Sequence, residues 1–164
     1  RTLLVLRRAV IVAAPAGAIV WALANITTPA GASILTSTAH ALQPAARVMG
    51  LDGFILTAFI LGLPANEIVL PILLMAYSSS TALTETTGLA SLGRILAANG
   101  WTWLTALNTM IFSVLHFPCS TTLLTIAAET KSARWTALAA LMPTVLAIAA
   151  CCATRAAARL LGLA

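Results

Sequence analysis

Phe54-Ile-Leu-Thr-Ala-Phe-Ile-Leu-Gly-Leu-Pro64-Ala-Asn66-Glu67-Ile-Val-Leu-Pro71-Ile-Leu-Leu-Met-Ala76 is the stretch that decides how this chain is read. An apolar run meets a proline, polar side chains follow at once, and apolar sequence resumes. The same pattern returns at Trp101-Thr-Trp-Leu-Thr-Ala-Leu-Asn-Thr-Met-Ile-Phe-Ser-Val-Leu-His116-Phe-Pro118-Cys119-Ser120-Thr121-Thr122-Leu-Leu-Thr-Ile-Ala-Ala128. A pair of interrupted hydrophobic segments points to the binding site of a transporter. Irregular backbone at membrane depth persists only where protein or a watery cavity covers it.

Composition sets the surroundings of these breaks. Of the 164 residues, 60% are hydrophobic and 8% charged, and the mean hydropathy is +1.00. Soluble domains carry about 25% charged residues. A chain of this length cannot hide so much apolar surface from water, whereas a bilayer takes it up. The net charge of +5 comes from nine Lys and Arg against four Asp and Glu. The basic residues sit between or beside apolar runs, as the positive-inside rule places them, and form no stripe for nucleic acid. Cys119, Cys151 and Cys152 match no zinc or disulfide spacing. The adjacent pair Cys151 and Cys152 reads as small buried hydrophobes.

Segment lengths give an all-α fold, a polytopic membrane helical bundle with broken or re-entrant helices in a single membrane domain over 1–164. A hydrocarbon core about 30 Å thick takes about 20 helical residues. The stretch 9–27 fits one span, with Pro15 and Gly17 tolerated inside it. The stretch 33–47 is too polar for a span and reads as a short interfacial or re-entrant helix, after a breaker at Pro29-Ala-Gly31. Asp52 is placed to cap the helix that follows. The stretch 51–79 would be roughly 43 Å long as one straight helix, so it either tilts and kinks or folds as two half-helices. Ser78–Gly88 reads as a polar loop and Leu89–Ala98 as a short surface helix. The stretch 101–128 is the second broken helix, opened by Trp101 and Trp103 as interface anchors. The stretch 136–154 is the last span. If each long segment crosses once, the distribution of Lys and Arg puts both termini in the cytoplasm. The chain opens on Arg1 rather than Met, which reads as a fragment of a longer protein.

Chemistry gathers at the breaks. A proline cannot donate to the carbonyl four residues back, so Pro64, Pro71 and Pro118 are expected to free the carbonyls of Ile60, Glu67 and Val114. Glu67 is the leading candidate, because a carboxylate with apolar sequence on both sides is expensive in a bilayer. Asn66 beside it can donate or accept. Cys119 is the second candidate: a thiolate suits Fe, Zn and Cu(I), not Mg or Ca. His116, three residues earlier, completes the metal-path set. The plainer readings are a cap for Glu67, close helix packing for Cys119 and an interhelical hydrogen bond for His116. No orienting carboxylate accompanies Cys119 and His116, so hydrolytic catalysis is a distant reading. No glycine-rich phosphate loop is present, and the chain is read as no enzyme.

Gly50-Leu-Asp-Gly-Phe54, Ile60-Leu-Gly-Leu-Pro-Ala-Asn-Glu-Ile68, Ala98-Asn-Gly-Trp-Thr-Trp103 and Phe117-Pro-Cys-Ser-Thr-Thr122 occur in order. Together they resemble the carboxy-terminal membrane region, the second Gate region, of the ferrous iron transporter FeoB family. The resemblance covers most of Gly50–Pro143. It implies Fe(II) as transported substrate, passing through a bacterial inner (plasma) membrane, with Glu67 and Cys119 lining the path. It implies no cofactor bound by this chain. GTP and Mg would act only through an amino-terminal G domain that these residues do not contain. The partners implied are the lipid bilayer, Fe(II), the G domain and first Gate region, small accessory Feo proteins and a second copy of the chain; nucleic acid is not among them. The alternatives are a permease for a small organic solute such as a nucleoside, and a non-transporting membrane scaffold whose breaks only shape packing.

Overall fold

The computed structural model describes residues 2–27, 33–78 and 89–162. The polar loop expected over Ser78–Gly88 lies outside the described residues from 79 onward, as does the breaker Pro29-Ala-Gly31. The described elements are helical: α1 Thr2–Asn25, α2 Ile34–Val48, α3 Gly53–Leu61, a 3-10 turn Asn66–Ile68, α4 Val69–Ser78, α5 Leu89–Ala98, α6 Trp103–Leu115, α7 Ser120–Thr130 and α8 Ala133–Leu160. No named strand occurs among the described residues; Thr27 and Ser33 form an isolated antiparallel bridge. The chain is an all-α membrane bundle with broken helices.

Among the described residues, two segments are long and apolar enough to cross a bilayer, Trp103–Thr130 and Ala133–Leu160, each 28 residues, and the bent pair α2 and α3 passes the same test when taken as one span. The first is α6 and α7 taken together across their break. Only 11% of the apolar window of each is buried inside the protein. The remaining apolar surface, including Leu141, Met142 and Val145 on α8, faces outward as lipid contact requires.

Helices α2 and α3 meet at 109°. Local chemistry builds this elbow. Ser33 caps α2 by accepting from the Thr36 amide at 3.2 Å. Asp52 caps α3 as the sequence indicates, accepting from the Ile55 amide at 2.7 Å. The Gly53 amide donates to Gln43 Oε1 at 2.7 Å. A Cβ on Gly53 would run into the Ala39 carbonyl, so glycine permits the close approach of the two helices. Gly50, at φ 70°, reverses the chain beside Asn108.

The segment 51–79 resolves into two half-helices rather than one tilted span. Helix α4 packs on α3, and the Tyr77 hydroxyl near the end of α4 donates to the Asp52 carboxylate at the start of α3. The Phe54 and Tyr77 rings lie 5.6 Å apart. The segment is therefore a returning hairpin of two arms, each about 15 Å long and too short to span. Its two ends, Asp52 and Tyr77, lie together. The core sits where this hairpin meets α2, α6 and α8, with Ile55, Phe59, Ile72, Leu73, Phe112 and Cys151 buried.

Candidate functional site

The two breaks meet. The Leu63 carbonyl, in the turn after α3, accepts from the Ser120 amide at 2.8 Å and from the Ser120 hydroxyl at 3.0 Å. Ser120 is the first residue of α7, so its amide lacks an intrahelical partner and is free to donate outward. One carbonyl from the Leu-Pro-Ala-Asn-Glu break thus holds the Pro-Cys-Ser break beside it.

One of the three prolines acts differently from expectation. The Ile60 carbonyl is not left free by Pro64, because the chain tightens and the Leu63 amide takes it at 3.3 Å. Pro71 lies in the first turn of α4, where its missing N–H removes no helical bond. Pro118 stands between helices, in the non-helical stretch that separates Leu115 from Ser120. These breaks are helix stops and restarts, not kinks within a continuous ladder.

Glu67 and Asn66 sit on the exposed 3-10 turn. Both line a groove of about 450 Å³ between the α3–α4 hairpin and α6. Its walls are mostly apolar, from Phe59, Leu73 and Met110, with Trp101 at one side and Thr109 and Ser113 as further polar lining. Cys119 precedes α7 at the N-cap position. Its Sγ lies 3.1 Å from Thr121 Oγ1 and 3.2 Å from Thr122 Oγ1, so first-turn hydroxyls gather at the sulfur.

His116 is buried, at 6% exposure. Its Nδ1 lies 2.9 Å from the Ser113 carbonyl, and Nε2 is buried with no hydrogen-bond partner. With Nδ1–H donating, Nε2 carries a lone pair among apolar rings. Phe59 and Phe117 pack at 4.9 and 4.8 Å, and Phe112 stacks at 5.7 Å. The four predicted residues therefore fall into three places: Glu67 with Asn66 on the groove, Cys119 at the α7 terminus, and His116 in an aromatic nest. Among the described residues, no three His, Cys, Asp or Glu side chains are grouped closely enough to hold one metal ion.

Two polar clusters escaped the sequence reading. Asn108, fully buried in α6, donates to the Met49 carbonyl at 2.8 Å and accepts from the Thr154 hydroxyl. It pins the end of α2 to α6 and α8. An amide inside the apolar run of α6 was the available signal, since a polar residue in a span needs a partner. The second cluster runs from Asp52 through the Tyr77 hydroxyl to Trp101 Nε1, which donates to it at 2.9 Å. It ties the elbow, the hairpin and the start of α6 together. Its members lie too far apart in sequence for spacing to show it.

A family model described as "Gate: Nucleoside recognition" matches residues 6–133. No curated protein and no solved structure matches the chain.

Proposed function

The chain belongs to the Gate family of membrane proteins, and on that premise we propose that it is the second Gate half of a GTP-regulated ferrous iron importer in a bacterial inner membrane. The observation that carries this reading is the junction at the Leu63 carbonyl, where the two break motifs lie side by side. Fe(II) is the transported substrate. Glu67 and Asn66 offer oxygen ligands from the groove, and Cys119 offers sulfur across the junction. A borderline ion accepts such a mixed set. Separate ligands also suit a path: a permeating ion must leave each site as readily as it enters, and a closed cage would retain it. His116 Nε2, buried and without a hydrogen-bond partner, is a further ligand position. In this reading the chain carries no cofactor and performs no catalysis. GTP and Mg act on the G domain of the same transporter, which biases the junction between two states.

A second reading rests on the groove itself. A volume of about 450 Å³, apolar walls and an aromatic side chain suit a small organic solute such as a nucleoside. The two readings separate in a pair of uptake assays, one with labelled Fe(II) and one with labelled nucleoside. Anaerobic uptake of radiolabelled Fe(II) is measured in cells carrying the full-length protein, with unlabelled Mn(II), Zn(II) or a mixture of nucleosides as competitor. Competition by divalent metals and not by nucleosides supports iron transport. Labelled nucleoside entering instead, unaffected by metals, supports the organic-solute reading and defeats the first.

A further inference from the structure

At the carboxy-terminal end of α8, a groove of about 490 Å³ opens against the last residues of α2. Arg155 and Arg159 line it together with Val48, Cys152, Ala156 and Leu160. The arginines are four residues apart on a helix and share a face. The Arg155 stem passes close to Gly50, at the mouth of the α2–α8 cleft. Among the described residues, neither guanidinium has an acidic partner. Helix-dipole complementarity accounts for Arg159 in the last turn, but that effect fades within a turn and does not reach Arg155.

The depth of the groove follows from the length of α8. Trp135, exposed near its start, is an interfacial residue type. Twenty residues separate it from Arg155, a rise of about 30 Å, which matches the hydrocarbon thickness. With Trp135 at one headgroup region, Arg155 and Arg159 stand at the other. There the groove presents two cations at phosphate level and an apolar wall toward the acyl chains.

We propose that the Arg155–Arg159 groove is a binding site for the headgroup of an anionic phospholipid, seated between α2 and α8. Guanidinium forks pair with phosphate oxygens, often bidentately. Val48, Ala156 and Leu160 cover the glycerol and the first methylenes. Because the groove touches the end of α2, whose Met49 carbonyl is held by Asn108, the lipid braces the elbow without entering the transport groove. The proposal is independent of what the protein transports.

The test uses the full-length protein in nanodiscs of phosphatidylcholine doped with a fluorescent phosphatidylglycerol or a matched fluorescent phosphatidylcholine. Energy transfer from tryptophan reports lipid occupancy. Binding of the anionic probe is expected to weaken about fivefold for each arginine changed to glutamine. The Arg155→Lys/Arg159→Lys variant is expected to keep most of it. Arg134→Gln, at the opposite end of α8, removes the same charge and is expected to change nothing. A melting curve for each variant separates lost binding from lost fold. Three results would overturn the proposal. One is equal enrichment of both lipids by the wild type, which leaves a carboxylate on another protein segment as the occupant. Another is equal weakening by Arg134→Gln. The last is displacement of the probe by inorganic phosphate at constant ionic strength, which marks a free-anion site.

Discussion

Ser120→Pro sets local preference against the junction between the breaks. Ser120 opens α7, and proline is favoured at the first helical position. Cys119 before it lies at φ −58° and ψ 158°, a conformation that a residue preceding proline prefers. On local grounds the substitution is neutral, or stabilising by about 0.4–1 kcal/mol through the unfolded chain. The tertiary effect runs the other way. Proline removes both donors to the Leu63 carbonyl, the amide at 2.8 Å and the hydroxyl at 3.0 Å. Each net hydrogen bond contributes about 1 kcal/mol, and because Leu63 is exposed its freed carbonyl adds no burial penalty. After the local gain, the expected loss is about 1–2 kcal/mol. Ser120→Ala removes the hydroxyl alone and is expected to cost about 0.6 kcal/mol, the average for side-chain hydrogen bonds measured within a bilayer. The assay is reversible unfolding in mixed detergent micelles, followed by tryptophan fluorescence. Ser120→Pro as stable as wild type would refute the junction, because the local terms would then be the whole effect.

Three further substitutions or modifications test other parts of the structure. Gly53→Ala forces a methyl group onto the Ala39 carbonyl, and the α2–α3 elbow is expected to lose about 1–3 kcal/mol in the same unfolding assay. Asn108→Ala leaves the buried Met49 carbonyl and the Thr154 hydroxyl without this partner; a loss of about 1–3 kcal/mol is expected. A double-mutant cycle with Thr154→Val should return a favourable coupling between the two, and zero coupling would show that they do not interact. In single-cysteine variants, a charged methanethiosulfonate reagent is expected to modify Cys119, half-buried beside its two threonines. Cys151, fully buried, should stay protected until the protein is denatured. Mass spectrometry reads both, and the reverse order of reactivity would contradict the packing of α6 on α8.

The fold class was legible because the hydrophobic runs are long and the charges sparse, so few architectures can accommodate them. The Asp52 cap was legible too, since a carboxylate at the start of an apolar run has one inexpensive use. The path of the 51–79 segment was not. Its return depends on Tyr77 reaching Asp52, a contact 25 residues apart that no periodicity reveals. The fate of the Ile60 carbonyl was misjudged for a local reason: the chain tightens after α3 and the Leu63 amide takes it, and sequence alone does not show where helices stop to within a turn. Glu67 and Cys119 were recognisable as costly or reactive residues in apolar surroundings. That their two breaks share the Leu63 carbonyl is a product of tertiary packing, and so is the separation of His116 into an aromatic nest.

Anaerobic Fe(II) uptake by cells carrying the full-length protein, wild type against Glu67→Gln and Cys119→Ser at membrane levels matched by blot, tests the central claim most directly. The account predicts that both substitutions abolish most uptake while the melting curves stay within a few degrees of wild type. Uptake unchanged in both variants would contradict it, and would leave the two breaks as devices for packing helices.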